Sequence, residues 1–325
     1  MSAPWITYRP ELKVLDCTIR DGGLCNDHAF EDGFVKAVYE ACVAAGIDYM
    51  ELGYKSSKRI FAQNKFGVWK FCDEADLRRV IGDNPTSLKL AAMIDAGKCD
   101  WKTDVLPKKD SVLDLIRVAF YANQVSEAVD MINDAFQKGY EVSANLMAVS
   151  TVKEQEIDQV LEEIAKTPAS CVCVVDSFGS MYAEQIEILV KKYLRYGIDT
   201  KKEVGIHAHN NQQLAFANSI EAIIHGANRI DASMAGLGRG AGNCPMELMI
   251  GFLRNPKFKL RPIYQVLQDH LLPLSRKLEW GPYVQYMITG QLNEHPRSAI
   301  AARDNDTVRD QYVAFYDKMF SDLDM

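Results

Sequence analysis

Short β-branched and aliphatic runs alternate with longer stretches of helical periodicity from near the start of the chain to about residue 254. The runs at 13–18, 49–52, 88–93, 115–119, 142–147, 171–175, 204–207 and 229–231 are predicted as strands. Between them, 33–45, 125–138, 153–166, 183–195 and 213–226 are predicted as helices, with Gly46, Gly139, Gly197 and Gly226 as left-handed caps. Strict alternation of strand and helix predicts an α/β protein with a parallel sheet, and eight strands are the number that closes a (β/α)8 barrel. After Asn255 the alternation stops, and Pro256, Pro262, Pro273, Pro282 and Pro296 break the remainder into short helical runs. We therefore expect a catalytic barrel over 1–254 and a small helical appendage over 255–325. Its last helix is predicted at 312–320, with a frayed tail beyond.

The pattern is interrupted after the second strand, over 54–84. There Lys55, Lys58, Arg59, Lys65 and Lys70 are interleaved with Phe61, Phe66, Trp69 and Phe71. Basic-aromatic stretches can bind nucleic acid, but the net charge of −7 argues against it. A long loop covering the catalytic face of the barrel is the expected role, with positive charge suited to an anionic substrate; a merely solvated loop is the alternative. Hydrophobic residues make up 48% of the 325 and charged residues 25%, enough apolar mass for a core that needs neither metal nor disulfide. No apolar run approaches the ~20 residues needed to span a bilayer. The first residues lack the pattern of a signal peptide. A cytoplasmic protein without membrane or nucleic-acid partners is expected. The eight cysteines show no framework spacing, and Cys171 and Cys173 are expected to be small buried hydrophobes.

Candidate chemistry gathers at the carboxyl ends of the predicted strands, where a barrel of this kind carries its active site. His207-Ala208-His209 is the most informative stretch. Residues i and i+2 of a strand point the same way, so two imidazoles converge on one point, as a divalent metal requires; two unrelated surface histidines are the alternative. Arg20 and Asp21 close the first strand, Glu51 the second, Asn145 lies near the end of the fifth, and Asp176 and Ser177 end the sixth. After the eighth comes Gly236-Leu237-Gly238-Arg239-Gly240-Ala241-Gly242-Asn243. Four glycines in eight residues let backbone N–H groups approach an anion, at Gly238, Arg239 and Gly240 in particular. Asp21, His207 and His209, with Asn243 as a fourth donor, suit Mn²⁺ or Mg²⁺, with Zn²⁺ and Co²⁺ as alternatives. Such an ion can hold a 2-oxo acid and stabilise an enolate, Arg20 can offset the developing charge, and Glu51 can hold Arg20 in place.

These motifs together resemble the DRE-TIM metallolyases, also described as HMG-CoA lyase-like or pyruvate carboxyltransferase-domain proteins. They are Leu15-Asp16-Cys17-Thr18-Ile19-Arg20-Asp21-Gly22-Gly23, Glu51, His207-Ala208-His209-Asn210-Asn211 and the loop ending at Asn243. The resemblance spans roughly 12–254. Val175-Asp176-Ser177 and the glycine loop are most similar to the 4-hydroxy-2-oxovalerate aldolase branch. It implies Asp21, His207 and His209 as metal ligands, Arg20 as the group facing the enolate, and Glu51 as the strand-two acid of the family. It also implies a second copy or a dehydrogenase as partner. A histidine base is expected three residues after the metal aspartate, where this chain has Leu24. His28 or, from the appendage, Tyr286 would have to serve instead.

The expected function is thus a metal-dependent aldolase acting on a small anionic 4-hydroxy-2-oxo acid through a pyruvate-type enolate. An acyl-CoA-dependent Claisen synthase or lyase is the alternative, weakened by the absence of cysteine from the glycine loop. A non-catalytic metal-binding barrel is the third reading, supported by Leu24.

Overall fold

A computed structural model describes residues 9–321. Eight parallel strands close into a barrel in sequence order: β1 (Lys13–Asp16), β2 (Tyr49–Tyr54), β3 (Lys89–Asp95), β4 (Leu115–Phe120), β5 (Glu141–Leu146), β6 (Cys171–Asp176), β7 (Glu203–Ala208) and β8 (Arg229–Ala232). All eight predicted strands are present. The helices through the eighth strand are α1 (Thr18–Gly22), α2 (Asp32–Ala45), α3 (Glu74–Ile81), α4 (Trp101–Asp104), α5 (Val125–Gln137), α6 (Glu154–Ala165), α7 (Ala183–Thr200) and α8 (Ala215–Ile224). Alternation explains the layering. In β4, Ile116, Val118 and Phe120 pack outward into the core beneath the helices, while Leu115, Arg117 and Ala119 point inward.

Three local expectations are corrected. The first strand stops at Asp16 rather than residue 18, because the Asp16 carboxylate accepts hydrogen bonds from the backbone N–H and hydroxyl of Thr18 and turns the chain into α1. Arg20 and Asp21 therefore ride on a helical turn, not a strand end. Gly197 is no cap: α7 runs on to Thr200, and Lys201 takes the left-handed conformation instead. The 54–84 stretch is not all loop, since Leu77, Val80 and Ile81 bury one face of α3.

Beyond the barrel come α9 (Met246–Leu253), α10 (Leu260–Val266), α11 (Leu272–Leu274), α12 (Val284–Gln291), α13 (Arg297–Arg303) and α14 (Tyr312–Ser321). Residues 260–271 lie against the barrel, with Ile263, Val266 and Leu271 in the main core. From α12 onward the chain crosses the catalytic end. The Asn293 amide donates to the Ser150 carbonyl and accepts from the Ser180 hydroxyl, and Tyr286 packs on Gly240. Among the described residues no helix is long and apolar enough to cross a membrane. All eight cysteines are free, and those of β6 are buried.

Candidate metal centre and active site

The Asx turn at Asp16 and the short helix behind it carry Asp21 to the barrel axis. β7 brings His207 and His209 to the same point. Oδ2 of Asp21 lies 3.2 Å from Nε2 of His207 and 3.9 Å from Nε2 of His209. All three residues are buried, and their ligand atoms fall within 4.8 Å of one another. Each imidazole is held from behind: Nδ1 of His207 sits 3.0 Å from Oδ2 of Asp231, and Nδ1 of His209 is 3.3 Å from the Gly242 carbonyl. Donating Nδ1–H to these acceptors leaves both Nε2 lone pairs facing Asp21, the tautomer a metal ligand needs. Oδ1 of Asn243 is a further buried acceptor without a protein partner. A hard carboxylate oxygen, two imidazoles and an orphaned amide oxygen fit a divalent ion.

The glycine loop is shaped for this approach. A Cβ on Gly238 would collide with the Asn243 amide and crowd Oδ1 of Asp21. The next backbone N–H, that of Arg239, donates to Oδ1 of Asp21 at 3.0 Å. Burial alone would raise the Asp21 carboxyl; Arg20, His209 and His207 outweigh it and hold it well below the usual carboxylate range.

A buried charge network surrounds the triad. Arg20 donates from Nη1 to Asp21 (2.8 Å) and from Nε to Oε2 of Glu51 (2.7 Å). Arg117 donates to Glu51 (2.9 Å), Asp231 (2.5 Å) and Oδ1 of Asn145 (3.0 Å). Glu51 thus grips both guanidinium groups, and Asp231 links Arg117 to His207. Neither Arg117 nor Asp231 was singled out from the sequence. The sequence shows only a charge within an apolar strand run; the closed ring puts each on the inner face, where a packed interior tolerates it only when paired.

A small cavity of about 70 Å³ opens over this network. Arg20, Leu24, Tyr54, Met93, Arg117, Ala119, Asn145, Met147, Val175, Ser177, His207, His209 and Arg239 line it. At about 30 Å³ per water, that is room for two or three waters. Tyr54 reaches it through a break in register between β2 and β3 at Glu51/Tyr54, which lets two residues an odd number apart face the same interior. A larger open depression of about 670 Å³ around Lys58, Arg59 and Trp101 has no grouping of metal ligands among the described residues.

Two proposed catalytic residues are not brought to the cavity. His28 is buried behind Tyr54, edge-on to its ring at 5.4 Å, with Nδ1 wedged against Gly23. Burial, reinforced by Lys70 and Arg20, pushes it down to about 3. Tyr286 lies on the far side of the glycine loop, in an apolar cluster with Ala241 and Ala299. Leu24 does line the cavity and brings no proton-transfer group.

A buried Asp/His/His centre at the carboxyl end of a (β/α)8 barrel defines a class of metal-dependent barrel enzymes. The HMGL-like family model matches residues 11–268, and the chain belongs to that family. A 4-hydroxy-2-oxovalerate aldolase of Rhodococcus opacus is 29% identical over 252 residues, covering 77% of this chain and 71% of the relative. The N-terminal domain of a candidate aldolase from Bacteroides vulgatus superposes with a TM-score of 0.76 at 29% identity, covering 89% of this chain and 96% of that domain. The carboxyl transferase domain of Rhizobium etli pyruvate carboxylase shares the fold at a TM-score of 0.66 and 15% identity, covering 92% of this chain and 54% of that one.

Proposed function

We propose that the protein is a divalent-metal-dependent aldolase that cleaves or forms a 4-hydroxy-2-oxo acid. The observation that carries this is the triad itself: both Nε2 atoms aim at Asp21, both Nδ1 atoms are anchored, and Arg20 is fixed beside them. Asp21, His207 and His209 would hold the ion, with Asn243 as the fourth donor. When bound, the ion supplies Lewis acidity toward the 2-oxo and carboxylate oxygens of the substrate. Mn²⁺ accepts this mixed imidazole–oxygen set, and a substrate that binds through hard oxygens favours Mn²⁺ or Mg²⁺.

The chain's own residues do the rest. Arg20, locked by Glu51, presents a fixed cation to the oxygen on which enolate charge develops; held by buried partners, it needs no reorganisation as that charge appears. Tyr54 is the phenol lining the cavity. Burial raises it, so it stays protonated and donates to the 4-oxygen of the substrate. Met93, Met147 and Val175 exclude water from the reacting carbons. Cys244 follows the glycine loop, buried, and burial raises its thiol to about 12, which offers no nucleophile to an acyl-CoA thioester. The test is pyruvate release from a panel of racemic 4-hydroxy-2-oxo acids, with and without Mn²⁺. Metal-dependent release supports the reading; release that survives chelation, or none with any member, contradicts it.

A further inference from the structure

The appendage grips the catalytic end through one short segment, residues 290–295. Gln212, in the loop after β7, donates from Nε2 to the carbonyls of Ser180 at 2.9 Å and Gly290 at 3.4 Å. A Cβ on Gly290 would crowd Asn211 and Gln212, so glycine there lets the end of α12 lie directly on that loop. Asn293 takes the left-handed conformation and ties the loops after β5 and β6 together. Its amide donates to the Ser150 carbonyl at 3.0 Å and accepts from the Ser180 hydroxyl at 2.7 Å. Two residues further on, His295 meets the loops after β6 and β8. Its ring stands edge-on to Phe178 at 5.5 Å, and its Nε2 lies 3.4 Å from Nη1 of Arg239.

Arg239 itself lines the cavity over the metal triad. Nη2 donates to the Ser177 carbonyl and lies 3.5 Å from Nε2 of His209, while Nε is buried without a partner. Among the described residues no carboxylate oxygen lies within 4.0 Å of this guanidinium, and Asp21 meets Arg239 only through the backbone N–H. A permanent cation with donors to spare, facing the cavity, suits a carboxylate. His295 sets where that cation stands. Its Nδ1 accepts the Arg297 N–H at 3.1 Å, which fixes the ring and places the proton of the neutral imidazole on Nε2. Burial, with Arg239 and Arg297, pushes the ring down to about 4, so it is neutral near pH 7. A donor facing a donor makes no hydrogen bond. The ring instead backs the guanidinium from the appendage side and leaves Nη1–H for an acceptor that enters the cavity.

We propose that Arg239 binds the carboxylate of the 2-oxo acid and that His295 is its positioning residue, held in place by the strap that Asn293 fastens across the barrel loops. This rests on the aldolase reading of the same site for the identity of the acid. Arg20 and Arg239 then divide the work: Arg20 faces the oxygen on which enolate charge develops, and Arg239 holds the carboxylate that does not react. The appendage is thereby part of the substrate site, although His295 acts only through the guanidinium it backs.

The probe is oxalate, which presents the carboxylate and enolate-type oxygens of a 2-oxo acid, titrated calorimetrically into the Mn²⁺-loaded protein. Arg239→Gln is expected to bind it about tenfold more weakly, through loss of one charge-assisted contact. His295→Ala should bind it about fivefold more weakly while Mn²⁺ affinity stays within about twofold, and in the Arg239→Gln background the same change should cost less than about twofold. His295→Phe, which keeps the bulk of the ring and loses its nitrogens, should restore most of the affinity. Wild-type affinity in Arg239→Gln, additive losses in the double variant, or no recovery in His295→Phe overturns the proposal. Deuterium exchange at the pyruvate methyl group, followed on the same preparations, separates the two levels. Exchange without coupling between the two residues overturns this inference alone, whereas coupling without exchange keeps the carboxylate site and overturns the aldolase reading.

Discussion

Oδ2 of Asp231 lies 3.0 Å from Nδ1 of His207 and 2.5 Å from Nη2 of Arg117, so one β8 carboxylate both orients a metal-ligand imidazole and joins it to the arginine network of the barrel. Carboxylate–histidine pairs of this kind fix the tautomer and raise ligand basicity. Asp231→Asn should therefore weaken Mn²⁺ binding by about 10–100-fold, measured by calorimetry on protein whose circular dichroism is unchanged. Wild-type affinity would mean that His207 is oriented without it.

The strands were legible because β-branched runs in a barrel are short, bounded and regularly spaced, and the clustering of Asp21, His207 and His209 was legible because residues i and i+2 of a strand face one way and both polar segments follow strands of one barrel. Asp231 and Arg117 were not. In the strings Arg229-Ile230-Asp231 and Ile116-Arg117-Val118 a charge looks like an ordinary strand residue until the closed ring shows which face is inside. The register break that admits Tyr54, and the crossing of the C-terminal helices that brings His295 to Arg239, depend on contacts between distant segments and leave no local signature.

Arg20→Lys should separate chemistry from metal loading. Lysine keeps the charge but loses the fork that contacts Asp21 and Glu51 together. Turnover should fall roughly 100-fold while Mn²⁺ affinity stays within about fivefold. Wild-type turnover would reduce Arg20 to a structural partner of Glu51.

His28 should shape stability against pH. Burial, with Lys70 and Arg20, lowers it from its ordinary 6.5 to about 3, so the unfolded chain takes up the proton first as the pH falls. The stability contributed by neutral His28 is complete above pH 6.5 and is lost progressively toward pH 3. In denaturant titrations across that window, His28→Gln should lose less stability than the wild type, by up to about 4 kcal/mol. Parallel curves would show that His28 titrates normally and is open to solvent.

The central claim is that Asp21, His207 and His209 hold one divalent ion on which proton abstraction at a 2-oxo acid depends. It is tested most directly by deuterium exchange at the pyruvate methyl group as Mn²⁺ is titrated into the metal-free protein. The account predicts that exchange rises in proportion to occupancy, saturates at one ion per chain, and is absent from the His207→Ala/His209→Ala variant while the barrel stays folded. Exchange that persists in chelator, or in that double variant, would contradict it.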